Sequence, residues 1–390
     1  MTEPLAVLAV LCASVALADW LGRKPGWHLL GAALLVIALA ALCANLGVIP
    51  SVTDGSPIYD GVFAYIAPLA IFWLLLGVDL RSVLAAGLPM LGMFGLGALG
   101  TLLGVLAAMH LLDGNTFGEF RAALGGMFVG TYVGGALNFN AVALEYGVQR
   151  EGLVYASAGV VDNLMTTVWM IVTIAMPRAV APFWPTRSGT DARRTGGAPS
   201  ATLRARDERE GDDEHVSPGD IATLITLGAM ALVLAERITT WLAAKGVAIP
   251  EILILTTLAL ALAQIPWVQR RRGAQVLGMF AVLLFLAAIG ALCDVAELRG
   301  RGALGTALVW LVVITVAVHG AIVLVGAWWL RIDPAVAAVA SQANIGGGTS
   351  ALALARGLDR PDLVAPALLI GALGNAAGTY LGLLAASLLA

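Results

Sequence analysis

Long apolar segments fill this chain almost from end to end. Hydrophobic residues make up 59% of its 390 positions and charged residues 12%, and the mean hydropathy is +0.90. Soluble domains carry about 25% charged residues, so this composition indicates an integral membrane protein. A spanning helix needs roughly 20 apolar residues, and twelve segments approach that length. They are 4–20, 28–48, 61–78, 84–111, 120–146, 152–177, 218–243, 250–267, 274–293, 303–330, 334–356 and 362–389.

The composition also limits the partners and cofactors that we expect. The net charge is −3, and no basic patch with interleaved aromatic residues points to a nucleic acid. Cys12, Cys43 and Cys293 lie in separate apolar segments without metal-ligand spacing, so they are interpreted as small core residues. The first 20 residues lack a basic start and a cleavage site, which favours a spanning helix over a signal peptide. No cofactor, transition metal or nucleic acid is therefore expected.

A single hydrophilic insertion, residues 178–217, interrupts the apolar pattern. It is rich in arginine, proline, glycine and serine, and it ends in the acidic stretch 207–214. Such a segment cannot bury enough apolar surface to fold, so it is predicted to be a disordered linker. It separates a first transmembrane repeat, 1–177, from a second, 218–390.

The two parts resemble each other beyond their hydropathy. Glycine pairs, prolines and polar residues recur in the same order, at a separation that drifts only from 216 to 212 residues. This regularity predicts a duplicated six-helix unit. The matched positions are Ile49-Pro50 with Ile265-Pro266, Asp79 with Asp294, Gly134 and Gly135 with Gly346 and Gly347, Asn163 with Asn375, and Thr167 with Thr379.

The number of spans decides how the two repeats are oriented. Six spans in each half favour parallel repeats, whereas a missed span or a non-spanning segment would give inverted repeats. With twelve spans, the linker and Arg270–Arg272 share one face with both termini. The positive-inside rule would place that face in the cytoplasm. The same count puts several other basic residues on the opposite face, against the rule. They are Arg23, Lys24, Arg81, Arg150, Arg299, Arg301, Arg356 and Arg360.

Two glycine-rich stretches, Gly130–Asn140 and Ser341–Ser350, lie in the middle of long apolar runs. Glycine pairs flanked by amides and hydroxyls are typical of membrane helices that break and line a polar cavity. Freed carbonyls can bind a cation, and helix N-termini favour anionic groups. Close helix packing by small residues is the alternative, but it explains the matching amides poorly. The candidate cavity residues are Tyr132, Gly134, Gly135, Asn138, Asn140, Gln342, Asn344, Gly346, Gly347, Thr349 and Ser350.

Asp162 is an acidic residue about ten positions into the apolar segment 152–177. An ionised side chain there is costly unless it meets a cation, a proton or water. The pattern predicts a site for a coupling ion, Na⁺ or H⁺, with Asn163, Thr166 and Thr167 as further ligands. A permanently protonated acid that bridges two helices is the alternative.

Three more polar residues occupy apolar segments of the second half. Asn375 and Thr379 match Asn163 and Thr167, whereas Asp162 is matched by Gly374, so only the first half supplies a charge. Asn375 is interpreted either as a ligand or as a contact between helices. His319 could relay protons, although a packing role is the preferred interpretation.

Four motifs carry a resemblance to a known family. They are Tyr132-Val-Gly-Gly-Ala-Leu-Asn138, Val161-Asp162-Asn163 with Trp169, Ala343-Asn-Ile-Gly-Gly347 and Gly374-Asn-Ala-Ala-Gly-Thr-Tyr-Leu-Gly382. In this order they resemble the DUF819 family of bacterial and plastid membrane proteins, over nearly the whole chain apart from the linker. That family is grouped with the cation/proton antiporters and anion transporters, which include bile-acid sodium symporters.

The resemblance implies an all-α fold in which two unwound helices, 120–146 and 334–356, cross in a core domain that moves against a scaffold domain. Antiporters of the superfamily often carry an acidic pair where this chain has Asp162-Asn163. The lone carboxylate is closer to symport or electroneutral exchange.

The sequence thus predicts a secondary transporter of the bacterial inner membrane that couples Na⁺ or H⁺ to a small organic solute, an amino acid, short peptide or carboxylate. A cation/proton antiporter is the alternative within transport, and a membrane-embedded enzyme is the alternative of another class. A homodimer is compatible with the scheme because a mobile core needs a fixed scaffold.

Overall fold

The computed structural model describes residues 3–24, 31–51, 56–112, 116–184, 216–293 and 302–390, and every regular element in these ranges is helical. The helices are α1 Pro4–Gly22, α2 Gly31–Asn45, α3 Pro57–Leu75 with a π-helical turn at Val62–Ile66, α4 Leu88–Leu111, α5 Arg121–Gly134, α6 Ala136–Glu145, α7 Gly152–Val180, α8 Pro218–Ala243, α9 Glu251–Ala263, α10 Ala274–Ala291, α11 Gly302–Trp329, α12 Pro334–Gly357 and α13 Val364–Leu389. Single helical turns lie at Val83–Ala86, Gly118–Phe120, Val148–Arg150, Ala181–Phe183, Pro266–Gln269 and Pro361–Leu363.

Length and apolar composition make most of these helices suited to a membrane. In the described ranges, eight are long and apolar enough to cross one: α1, α3, α4, α7, α8, α10, α11 and α13. Helices α2 and α9 are apolar but shorter, with 15 and 13 residues. The protein is therefore an all-α polytopic membrane protein.

Helices α5 and α6 fold back on each other at Gly135. A Cβ atom on Gly126 would lie 3.1 Å from Cγ1 of Val142, and one on Gly130 would lie 3.1 Å from the Asn138 carbonyl oxygen. In a straight helix, residues 126 and 142 would be about 24 Å apart, at about 1.5 Å per residue. These two helices form a helical hairpin, hairpin 1, whose glycines allow the arms to touch.

Helix α12 is a second hairpin, hairpin 2, which turns at Gly347. The Arg360 guanidinium, just after its end, lies 2.6 Å from the Asp333 carboxylate, just before its start. The Ser350 hydroxyl approaches the Gln342 carbonyl oxygen to 3.4 Å across the turn. A straight helix of 24 residues would separate its ends by about 36 Å. The arms of hairpin 2 thus run from Pro334 to the turn and back to Gly357.

A salt-bridge cluster closes the base of hairpin 2. Arg360 also donates to the two Asp362 carboxylate oxygens at 2.8 and 2.7 Å. The hydrogen bonds that Arg360 donates to Asp362 and Asp333 raise its pKa above its usual value. The base of the hairpin is therefore held by a permanently charged group.

The prediction that segments 120–146 and 334–356 each cross the membrane, and cross one another as unwound helices, is wrong. Each segment breaks where the glycines predicted a break, but the chain then reverses direction, so its two ends lie together. A kinked spanning helix and a helical hairpin show the same sequence pattern, an apolar segment with a glycine pair in its middle. The sequence pattern could not distinguish them.

The base of hairpin 1 lies on the face of the molecule that holds the end of the chain. Arg121, at the start of α5, donates to the carbonyl oxygens of Met109 and Leu389 at 3.0 and 3.4 Å. Asn45, at the end of α2, donates to the Cys293 carbonyl oxygen, and Leu292 packs on Gly152. Helix α2 ends on this face, so it begins on the opposite face, where α1 ends. Helix α1 therefore begins on the same face as the end of the chain, and we call this face the termini face.

The base of hairpin 2 lies on the opposite face. Trp184, after the end of α7, donates to the Ile332 carbonyl oxygen at 2.9 Å, just before hairpin 2. Asp220, at the start of α8, pairs with Arg271, which lies between α9 and α10. The described residues on either side of the segment 185–215 therefore lie on this face, which we call the linker face.

The expectation that the linker and both termini share one face is wrong, because in the described residues each half has five helices that run from one face to the other and one hairpin. Five basic residues assigned to the far face, Arg23, Lys24, Arg81, Arg356 and Arg360, lie on the linker face instead. The predicted disordered linker begins with ordered helix to Phe183. Its central part, 185–215, lies outside the described residues, as does Asp294.

The helices pack into two groups. A flanking group contains α1, α2, α3, α8, α9 and α10, and a hairpin group contains α4, hairpin 1, α7, α11, hairpin 2 and α13. Hairpin 1 packs on α13, hairpin 2 packs on α7 and α13, and α4 packs on α11, where a Cβ on Gly104 would lie 2.6 Å from the Thr315 carbonyl oxygen. Contacts between the groups are sparse. Each group draws three elements from residues 1–177 and three from 218–390.

Candidate functional site

The turns of the two hairpins meet in the interior of the hairpin group. Gly135 has φ 89° and ψ 177°, and Gly347 has φ 76° and ψ −179°. This region of backbone conformation is accessible essentially to glycine alone. A Cβ on Gly135 would lie 3.9 Å from the Gly347 Cα atom, so the hairpin turns touch each other. We call this place the tip junction.

Helix α13 closes one side of the tip junction. Gly134 packs against the Gly374 backbone, and Gly348 packs against Gly371, with no room for a Cβ atom at any of these contacts. The glycines of α13 therefore let both hairpin turns lie directly on its backbone. No space for a solute remains on that side.

Helix α7 borders the opposite side and is more open. Positions of α7 correspond to positions of α13 that lie 212 residues later in the chain. The pairs are Gly159 with Gly371, Asp162 with Gly374, and Thr166 with Gly378. A Cβ on Gly159 would meet no atom within 4 Å, in contrast to its counterpart Gly371. The tip junction is therefore tightly packed towards α13 and accessible towards α7.

Asp162 is buried against hairpin 1 with little hydrogen bonding. The Thr131 hydroxyl donates to both carboxylate oxygens, each at 3.4 Å. O–H···O bonds are usually about 2.5–3.0 Å long, so both contacts are weak. The Tyr132 hydroxyl lies near the same carboxyl group and is fully buried. Within the described part of the chain that hydroxyl makes no hydrogen bond of standard length and angle, so its interaction with Asp162 is also weak.

This environment can accept a cation or a proton. A buried carboxylate without strong donors or a counter-ion is unstable as an anion. Asp162 and the Thr131 hydroxyl present oxygen atoms of the kind that hard cations such as Na⁺ prefer. These same residues would equally suit a carboxylic acid that gains and loses a proton.

The inner face of α7 joins hairpin 1 to hairpin 2. Beyond Asp162, Trp169 donates to the Ser341 hydroxyl at 3.0 Å, and the Thr173 hydroxyl lies 3.0 Å from the Gln342 side-chain amide. Thr166 lies between these contacts with hairpin 1 and hairpin 2, so it is beside the tip junction. Thr166 is half-buried.

Two amides of hairpin 2 carry buried atoms without partners among the described residues. They are Nε2 of Gln342 and Oδ1 of Asn344. The Asn344 amide is held in place, because its nitrogen donates to the carbonyl oxygens of Phe94 and Ala340. Unpaired buried polar atoms are rare in folded proteins. Their presence beside a break in the backbone is typical of a binding site.

His319 is fully buried and is hydrogen-bonded at both ring nitrogens. Nδ1 lies 2.8 Å from the Gly97 carbonyl oxygen, which can only accept, so Nδ1 carries a proton. Nε2 lies 2.8 Å from the Ser341 hydroxyl, whose oxygen accepts from Trp169. A neutral imidazole fits these contacts, with Nδ1 donating to Gly97 and Nε2 accepting the Ser341 hydrogen. The network favours the packing role over a proton relay.

The same network reaches hairpin 1. The Thr101 hydroxyl lies 3.0 Å from Nδ1 of His319 and donates to the Tyr132 carbonyl oxygen at 3.0 Å. One chain of hydrogen bonds thus connects α7, hairpin 2, α11, α4 and hairpin 1. It holds the two hairpin turns at a fixed separation.

Three predicted cavity residues are occupied by contacts inside the hairpin group. Asn138 accepts from the Thr379 hydroxyl at 2.8 Å and donates to the Gly374 carbonyl oxygen at 3.4 Å. Asn140 accepts a short hydrogen bond from the Tyr155 hydroxyl. In this conformation Asn138, Asn140 and Thr379 attach hairpin 1 to its neighbours.

Two residues predicted beside Asp162 lie on a different face of α7. Asn163 and Thr167 are exposed, and their side chains bond along the helix to the carbonyl oxygens of Gly159 and Asn163. Consecutive helical positions diverge by about 100°, so Asn163 cannot share the environment of Asp162. The structure brings Thr131 to the carboxylate instead.

The remaining predicted residues border the tip junction. Thr349 is exposed, and Gly346 and Asn375 are half-buried. The Ser350 hydroxyl bonds to backbone carbonyls within hairpin 2. Thr131, Thr173 and Ser341 also contribute, although none of them is among the candidate residues of the sequence analysis. Thr131 and Ser341 lie inside the two glycine-rich stretches, and the fold-back of hairpin 1 brings Thr131 to Asp162.

These features define a class: an all-α polytopic membrane protein whose two helical hairpins meet beside a buried, weakly bonded carboxylate. Comparison with known proteins gives the family. A family model, "Protein of unknown function (DUF819)", matches residues 9–390, and the chain belongs to this family. A relative, the uncharacterized membrane protein YjcL of Bacillus subtilis (strain 168), is 28% identical over 360 residues. The match covers 90% of this chain and 87% of that protein.

Proposed function

We propose that this protein is a secondary active transporter that couples the movement of Na⁺ or H⁺ to that of a small organic solute, an amino acid, short peptide or carboxylate. The observation that carries the proposal is Asp162, a buried carboxylate with two weak hydrogen bonds beside the meeting turns of two hairpins. Intramembrane acids facing broken backbone commonly belong to ion pathways. The ion would bind at Asp162 and Thr131, and the solute at the tip junction.

The two halves are proposed to be inverted repeats of five spans and one hairpin. Equivalent elements of the two halves have equivalent partners in the other half. Helix α2 packs on α10, and its equivalent α9 packs on α3, the equivalent of α10. In the same way, hairpin 1 packs on α13 and hairpin 2 packs on α7. Helices α4 and α11, which are equivalent, pack on each other. Inverted repeats give a carrier two related conformations, open to opposite faces.

Transport is proposed to occur by an elevator motion of the hairpin group against the flanking group. The two hairpins, α7 and α13 form an extensively bonded unit, whereas few contacts connect that unit to the flanking helices. Sparse interfaces between packed units permit relative motion. A homodimer formed through the flanking group would hold that group still.

The basic residues suggest the orientation in the membrane. Arg23, Lys24, Arg81, Arg331, Arg356 and Arg360 lie on the linker face with the cluster Arg270–Arg272, whereas the termini face carries fewer. The positive-inside rule then places the linker face in the cytoplasm and both termini outside it. The membrane is proposed to be the bacterial inner membrane.

The direct test is ligand-dependent thermal stability. A ligand that binds the folded state raises its apparent stability. We expect the melting temperature of the purified protein to rise with Na⁺ but not K⁺, or to change with pH if H⁺ is the coupling ion. Asp162→Asn should abolish that response while remaining folded. Asp60→Asn, which removes an exposed carboxylate paired with Arg150, is the matched control and should keep it.

The outcomes also separate the alternatives. An unchanged ion response in Asp162→Asn would remove the coupling site from this residue. Dissipation of a pH gradient on adding Na⁺, without any organic solute, would indicate a cation/proton antiporter. Recovery of a chemically altered solute from proteoliposomes would indicate a membrane-embedded enzyme instead of a carrier.

A further inference from the structure

A cavity of about 230 Å³ lies between the hairpin group and the flanking group, near the termini face. Hairpin 1 and the turn that follows it form one wall, and α3 with the start of α9 forms the other. The polar residues of the lining are Glu145, Gln149, Arg150 and Glu251. A water molecule occupies about 30 Å³ in the liquid, so this volume can hold an ion together with several waters.

Two carboxylates border the cavity from opposite walls. Glu145 ends α6 on the hairpin side, Glu251 begins α9 on the flanking side, and their charges repel each other. Glu236, near the end of α8, adds a further negative charge beside Glu251. Arg150 carries a positive charge in the lining, but its guanidinium is paired with Asp60 at 3.1 Å. The lining residues therefore leave the carboxylates of Glu145 and Glu251 without a counter-ion.

A buried amide at the same cavity lacks a partner as well. Gln149 lines the cavity and is only 5% exposed, and its Oε1 atom has no hydrogen-bond partner among the described residues. Polar atoms are rarely left unpaired in the interior of a protein. Rotation of the amide would present this oxygen to a bound ion. An amide oxygen beside two uncompensated carboxylates is a set of ligands that hard cations select.

We propose that this cavity binds a hard divalent cation, with Ca²⁺ as the best fit, through Glu145, Glu251 and the Gln149 amide oxygen. Ca²⁺ takes about six to eight oxygen ligands in a flexible geometry, whereas Mg²⁺ demands a near-ideal octahedron and gives up its water reluctantly. Three protein ligands on two separate helix groups suit the more flexible ion, and water would complete its shell. Because the ligands come from both groups, a bound ion would hold the groups together in this conformation.

Thermal stability at fixed pH measures the binding, since a ligand of the folded state raises its apparent stability. Purified protein is freed of divalent ions with a chelator, kept without Na⁺, and titrated with CaCl₂, MgCl₂ or choline chloride at matched ionic strength. We expect Ca²⁺ to raise the melting temperature with a midpoint of about 0.1–1 mM, the range of extracellular calcium modules. Mg²⁺ should need a several-fold higher concentration, and choline chloride should have no effect.

Gln149→Leu is the decisive variant, because it removes the amide oxygen and leaves every charge in place. It should raise the Ca²⁺ midpoint by about tenfold, since polar contacts to charged groups are strong. Glu145→Gln and Glu251→Gln should each abolish the response. Asp19→Asn, which removes an exposed carboxylate on the linker face, is the matched control and should respond as the parent protein does. Melting curves in chelator establish that each variant is folded.

Asp162→Asn separates this cavity from the proposed coupling site, and it should keep the Ca²⁺ response. Loss of that response would place the ion at Asp162 and overturn the inference. No rise in melting temperature with Ca²⁺, an equal rise with choline chloride, or an unchanged Ca²⁺ midpoint in any folded variant of Glu145, Gln149 or Glu251 would overturn it too. The proposed function would still stand, because its own test uses Na⁺ and pH.

Discussion

Asp162 and its neighbours show how single residues take opposite roles in equivalent positions. At the position that Asp162 occupies in α7, α13 has Gly374, and there the hairpin turn packs directly on the helix backbone. The two halves thus share an architecture but not a chemistry. Because the first half has a carboxylate where the second half has a glycine, the tip junction has one carboxylate and not two.

The hydrogen-bond chain through Ser341 provides a prediction for a single residue. Ser341→Ala removes the acceptor of Trp169 and the donor to His319, leaving two buried groups unpaired. Each such loss costs about 1–3 kcal/mol, so we expect a clear fall in unfolding free energy, measured by denaturant titration in detergent. Ser387→Ala, an exposed position on α13 with a local bond, should change it by less than about 0.5 kcal/mol. Similar losses in the two variants would mean that the chain does not stabilise the site.

At the scale of elements, the sequence located both helix breaks but not their consequence. Glycine pairs with flanking amides identified positions 134–135 and 346–347 because glycine alone tolerates that backbone conformation. Whether the chain continues or reverses depends on tertiary contacts, such as those of Gly126 with Val142 and of Arg360 with Asp333. Residues chosen by proximity along α7, such as Asn163, were misplaced for a related reason, since a helix separates sequence neighbours by about 100°.

The hairpin turns predict which glycines are indispensable. Gly135→Ala and Gly347→Ala place a side chain in backbone conformations that cost about 1–3 kcal/mol outside glycine. Both variants should be destabilised by about that amount and should lose ligand binding, as measured by thermal shift. Gly159→Ala, in an ordinary helical position with open space around it, should fold as well as the parent protein. Destabilisation of Gly159→Ala to the same degree would contradict this assignment.

At the scale of the whole molecule, two groups of helices that interleave both halves suggest a moving part and a fixed part. Glu145 at the base of hairpin 1 and Glu251 at the start of α9 line one cavity of about 230 Å³ between the groups. Asp333 and Arg360 are a pair within the hairpin group. The two pairs allow motion between the groups to be compared with motion inside one of them.

A reversible cross-link tests this division. In a background without Cys12, Cys43 and Cys293, Glu145→Cys with Glu251→Cys should stop transport when joined by a cleavable thiol cross-linker, and reductant should restore it. Asp333→Cys with Arg360→Cys, joined in the same way, should leave transport running. Uptake into proteoliposomes is the measurement. Continued transport with the first pair joined would rule out movement between these groups.

Sided cysteine labelling in oriented vesicles tests the arrangement of the two hairpins. Four exposed positions flank the hairpins, Glu119 and Tyr146 at hairpin 1 and Arg331 and Asp359 at hairpin 2. With single cysteines at these positions, a membrane-impermeant thiol reagent should reach both ends of hairpin 1 from one side and both ends of hairpin 2 from the other. If the two ends of either hairpin instead react from opposite sides, that segment is a spanning helix and not a hairpin.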